Sequence, residues 1–137
     1  MTSVEVLRSV PLFQGMTDRS VETIAELAAP VAFGQGDALV REGEAGETFI
    51  VLTSGAADVT KAGAVLRRLG PGDYLGEISL IDGGARTATV IATAPIEALI
   101  IDRAGFGRLM AEFTVVRFDL VSALTRRLRE RSSDVTD

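Results

Sequence analysis

Two residues stand out for the chemistry that their types and spacing allow: Glu77, directly after Gly76, and Arg86, nine positions further on across the turn Asp82-Gly83-Gly84. Gly76 permits a tight backbone at the end of a strand, and residues 77–80 can form a single helical turn whose free N–H groups make an anion site. Such a site needs a counter-charge. The Arg86 guanidinium supplies one and can fork onto two phosphate oxygens, with the Thr87 hydroxyl beside it.

A carboxylate would repel a bare phosphate, but it accepts hydrogen bonds from ribose hydroxyls. Glu77 and Arg86 together therefore describe a sugar joined at short range to an anion. A cyclic nucleotide fits, because its phosphate bridges two ribose oxygens and leaves the 2′-OH free beside it. The plainer alternative is that the two side chains pair with each other across a turn that holds no ligand.

The rest of the sequence narrows the choice. With 137 residues, 47% of them hydrophobic, the chain has room for one domain and one sizeable core. Nineteen acidic against 14 basic side chains leave a net charge of -5, which disfavours binding to a nucleic-acid backbone. There is no Cys and no His, so disulfide scaffolds, thiolate nucleophiles, Cys/His zinc sites and Ser-His hydrolases are excluded together. No enzyme is expected. The longest apolar stretch, 87–101, carries Pro95 and Glu97, and no basic-then-apolar leader opens the chain, so a cytoplasmic protein without membrane insertion is expected. Glu42, Glu44 and Glu47 form an acidic loop that reads as solvated rather than as a calcium site.

Something must position these residues. Glycines from Gly34 to Gly84 punctuate the middle of the chain at intervals of about eight to twelve residues, a rhythm that suits strands joined by turns. The β-branched and aliphatic runs between them predict strands over 38–41, 48–53, 57–61, 64–69, 87–92 and 96–102. That set implies a sandwich, roll or barrel. Helices flank it. A short one is predicted within 4–10, and Thr17 caps another whose Val21, Ile24, Leu27 and Ala28 share a face and which Pro30 stops. Residues 103–110 have helical composition, and Val116, Leu120, Val121, Leu124 and Leu128 recur at helical spacing over 114–131. Leu39, Phe49, Val51, Leu75, Ile78, Val90 and Ile100 are candidates for core or pocket wall, and Tyr74 for packing.

The segment 70–88 closely resembles the phosphate-binding cassette of the cyclic nucleotide-binding domain family, which includes catabolite activator proteins, protein kinase A regulatory subunits and gated channels. The likeness extends over nearly the whole chain. Residues 6–16 resemble the family's N-terminal helix and turn, Glu42-Gly43-Glu44-Ala45-Gly46-Glu47-Thr48-Phe49-Ile50-Val51 its acidic loop and core strand, and 102–110 its following helix.

The resemblance implies a mainly β fold: an antiparallel β-roll of about eight strands flanked by N-terminal helices and a C-terminal lid helix. In a single domain over 1–137, the N-terminal helices would take 1–30, the roll 31–102 with its cassette at 75–88, and the C-terminal helices 103–131. It implies that Glu77 binds ribose, that Arg86 binds phosphate, and that Gly76, Ile78 and Ser79 offer backbone N–H groups. Thr87 takes a hydroxyl position compatible with cAMP or cGMP. Arg131 and Ser132 fall where catabolite activators place adenine-binding hydroxyls, on a segment that includes Arg127, so these three are the candidates for contact with the base. The expected ligand is a cyclic purine mononucleotide, cAMP before cGMP, with no cofactor.

Neither a DNA-binding module nor direct operator binding is expected of these residues. The output is expected to be an effector protein, and Val116, Leu120, Leu124 and Leu128 could either meet a second copy in a homodimer or pack only on the domain's own roll. The rival readings are a β-roll interaction module that needs no ligand and a regulatory fragment of a larger protein.

Overall fold

A computed structural model describes residues 3–76, 80, 83–114, 116–118, 120–122 and 125. Helix α1 (Ser3–Arg8), a single 3-10 turn (Pro11–Phe13) and helix α2 (Asp18–Leu27) open the chain. The Thr17 hydroxyl accepts the Ser20 N–H at 3.2 Å and caps α2, whose Val21 and Ile24 are buried.

The eight strands are β1 (Ala28–Phe33), β2 (Ala38–Val40), β3 (Thr48–Ser54), β4 (Ala57–Lys61), β5 (Ala64–Leu69), β6 (Tyr74–Leu75), β7 (Thr89–Ala92) and β8 (Ile96–Asp102). They form two four-stranded sheets, ordered β1-β8-β3-β6 and β2-β7-β4-β5. All the pairings are antiparallel. This is the mainly β architecture expected, and helix α3 (Arg103–Glu112) follows β8 directly.

The expected boundary between helices and roll at 30/31 falls inside β1. Helix α2 ends at Leu27, and Ala28–Phe33 pairs with β8, with Pro30 opposite Leu99. Proline breaks a helix, but an edge strand tolerates it, and β1 ends its sheet.

The first sheet is covered on both faces. Along β3, Phe49 and Val51 join the helices in one apolar cluster with Val21, Ile24, Ile101, Phe106 and Leu109, while Ile50 and Leu52 turn into the roll toward Leu69, Leu75, Val90 and Ile96. A strand buried on both faces explains why β3 reads as an unbroken apolar run. Leu39 and Ile100 are half-buried against the roll's interior, and Tyr74 packs on Phe49 with ring centroids 5.5 Å apart. Ile78 lies outside the described residues.

Beyond α3, residues 114, 116–118, 120–122 and 125 are helical. Of the two expectations for this stripe, contact with a second copy or packing on the domain itself, the described part follows the second. Val116 and Leu120 are 0% and 1% exposed and belong to the cluster under the helices, whereas Phe118 and Val121 are 70% and 54% exposed. Periodicity found the apolar face, and the domain's own core covers it. Leu124 and Leu128 lie outside the described residues.

Candidate functional site

Arg86 is 7% exposed, the one charged side chain among the described residues that is buried. Its backbone is fastened to the acidic loop. The Arg86 N–H donates to the Glu44 carbonyl at 2.8 Å, the Gly43 N–H donates to the Arg86 carbonyl at 3.0 Å, and Ala45 and Ala85 form an isolated antiparallel bridge. The guanidinium is aimed by the first residue of β3: Nη2 donates at 3.0 Å to the Thr48 carbonyl and at 3.0 Å to the Thr48 hydroxyl.

Gly76 closes against the same group. Its φ is +97°, in the left-handed region, and a Cβ built there would lie 2.3 Å from the Thr48 carbonyl oxygen and 2.6 Å from Arg86 Nη1. Only glycine admits the guanidinium at this distance. The structure thus brings Gly76 and Arg86 together and adds Thr48, which the sequence reading missed. The Leu80 N–H donates to the Gly76 carbonyl at 3.4 Å. Glu77, Ile78 and Ser79, expected to form the turn between them, lie outside the described residues. Thr87 is exposed next to Arg86. Arg127, Arg131 and Ser132, the candidates for contact with a base, also lie outside the described residues.

Glu42, Glu44 and Glu47 are all exposed, as a solvated loop requires, and the Glu47 carboxylate accepts from Arg103 Nε at 3.1 Å while Arg103 Nη2 donates to the Gly46 carbonyl at 2.9 Å. What this arrangement offers chemically is a covered cation with two anchoring acceptors, held against a glycine backbone. Such an arrangement could receive an anion of restricted shape.

Residues 30–113 match the family model described as cyclic nucleotide-binding domain. Over 118 residues the chain is 36% identical to a cGMP-dependent protein kinase of Drosophila melanogaster, covering 80% of this chain and 15% of the kinase. Among solved structures, the Thermus thermophilus catabolite activator protein superposes with a TM-score of 0.83 at 30% identity, over 91% of this chain and 61% of that one. The regulatory domain of Toxoplasma gondii protein kinase A with cAMP superposes with a TM-score of 0.80 at 30% identity, over 91% and 49%. The chain belongs to the cyclic nucleotide-binding domain family. It spans a small part of the kinase, and less than two thirds of the other two chains.

Proposed function

We propose that this chain is a sensor that reversibly binds a cyclic purine mononucleotide, cAMP first and cGMP second, and catalyses no reaction on it. The observation that carries this reading is Arg86. Covering a guanidinium is costly, and a site that orients it with a carbonyl and a hydroxyl while keeping a glycine against it is built for an anionic guest. In this reading Arg86 takes the cyclic phosphate and Glu77 the ribose 2′-OH, with backbone N–H groups of Gly76, Ile78 and Ser79 and the Thr87 hydroxyl around them. The base is met by Arg127, Arg131 or Ser132. The absence of His and Cys supports binding without catalysis, and no cofactor is needed.

Phosphate capture would bias the position of α3 and of the helical residues that follow, and an effector protein would read the change. If the chain dimerises through its C-terminal helix, Phe118 and Val121 supply the outward apolar side chains, in place of Val116 and Leu120. A cytoplasmic location belongs to the same reading. Among the described residues no helix is long and apolar enough to cross a membrane.

Titration calorimetry with cAMP, cGMP and AMP tests the proposal. Removing a covered arginine that pairs with a phosphate costs about 2–5 kcal/mol, so Arg86→Ala is expected to weaken binding roughly thirtyfold to several-thousandfold. An Arg86→Ala variant that binds as tightly as the parent would sink the assignment of phosphate recognition. A parent that binds none of the three nucleotides would favour the interaction module, and turnover of cAMP to AMP would make the protein an enzyme.

A further inference from the structure

We propose that the groove between α1 and the helix-facing side of the first sheet, at the far end of β3 from Arg86, binds a small organic amine: an ammonium group carried on an apolar body. This inference goes beyond the reading of Arg86 and does not depend on it.

Register builds the groove. On the helix-facing side of the first sheet, cross-strand residues line up in rows: Phe49, Ile101 and Ala28 form one, Val51, Leu99 and Pro30 the next, and Ser54, Glu97 and Ala32 the last. The helices bury the middle of the first two rows, with Phe49, Val51, Leu99 and Ile101 in the cluster beneath them. The last row is left open. Glu97 and Ala32 are exposed and Ser54 is half-buried. Together with Val6 of α1, Pro30 and Leu99, this row lines a cavity of about 650 Å³, a size that suits a small molecule. Thr48, which aims Arg86, begins β3, and Ser54 ends it about 20 Å away along the strand.

The chemistry of the lining is one-sided. Val6, Pro30, Ala32 and Leu99 supply apolar surface, and the polar side chains can all accept hydrogen bonds. Thr53 is the extra residue where the register of β3 on β8 shifts. Its hydroxyl donates to the Glu97 carbonyl at 3.0 Å, which leaves the oxygen free to accept. Among the described residues Glu97 forms no ion pair, and no Lys or Arg lines the groove. A primary ammonium has three donors and no acceptor, and so meets this set. A carboxylate or phosphate would face Glu97 without a counter-charge. The net charge of -5 works in the same direction.

The test titrates phenethylamine into the full chain and follows backbone amide shifts by NMR, with phenethyl alcohol, phenylpropionate and methylamine as comparisons. Phenethylamine is expected to shift the amides of residues 31–32, 53–54 and 97–99 saturably, with a Kd of about 0.3–3 mM. Methylamine, which lacks the body, and phenylpropionate, of opposite charge, are expected to leave them unmoved. Glu97→Gln is expected to weaken phenethylamine roughly three- to tenfold, and Ala32→Leu, which fills the floor, to weaken it as well. Both positions are exposed, so both variants are expected to melt close to the parent. Shifts that never saturate, or that spread to exposed carboxylates elsewhere such as Glu22 and Glu26, mean ion pairing without a site and overturn the proposal. So does phenethyl alcohol binding as tightly as the amine, or a Glu97→Gln variant that binds as the parent does. Tighter binding of Nα-acetyl-lysine methylamide than of phenethylamine overturns it in favour of a lysine side chain from a partner protein. A parent that binds the amine but no cyclic nucleotide keeps this inference and loses the reading of Arg86.

Discussion

A methyl group on Gly76 would sit 2.3 Å from the Thr48 carbonyl oxygen and 2.6 Å from Arg86 Nη1. The carbonyl cannot retreat, because it belongs to a strand paired with β8, and the guanidinium is held by Thr48. Adding the strain of a side chain at a φ of +97°, Gly76→Ala is expected to cost about 2–4 kcal/mol in urea denaturation. Gly70→Ala, whose Cβ meets nothing within 4 Å, is expected to stay within about 1 kcal/mol. Equal stabilities for the two variants would mean that the contact at Gly76 yields. At this scale the sequence was informative where residue type carries the chemistry. A glycine beside a carboxylate and an arginine after a glycine turn are readable as such. Thr48 was not, because one of its two contributions is a carbonyl that every residue has, and it lies 38 positions from Arg86. The Arg103–Gly46 contact hid for the same reason, with 57 positions between its partners.

Strands β4, β5 and β8 coincide with the runs expected from β-branched residues between glycines, since local composition and pairing agree there. Two strands were illegible. β6 has only two residues, and β1 contains Pro30 and follows a well-capped helix, so local signals pointed to a helix end rather than to a strand edge. The hairpin between β4 and β5 turns on Ala62 and Gly63, both at positive φ, of +52° and +83°. A two-residue turn of this hand favours glycine, asparagine or aspartate at its first position, and alanine pays a steric penalty there. Ala62→Gly is therefore expected to stabilise the chain, raising Tm by about 1–4 °C in a thermal melt. A fall in Tm would show that the hairpin does not depend on this turn.

At the scale of the whole molecule, two apolar clusters share the first sheet, one in the roll and one under the helices, and the C-terminal helical residues complete the second. Leu120→Ala should open a cavity there and cost about 2–4 kcal/mol, whereas Phe118→Ser, on the exposed side, should leave stability within about 0.5 kcal/mol. Similar losses from the two in chemical denaturation would mean that this helix is not seated on its own domain. Periodicity alone could not have told which body covers the stripe, since a partner chain and the chain's own core demand the same spacing. The proline in β1 has a further effect. This strand forms one rim of its sheet, and an unguarded rim is where a stray chain can join and begin a growing stack. Proline has no amide hydrogen to offer a newcomer, so Pro30 interrupts that template and makes this rim a poor seed for fibrils.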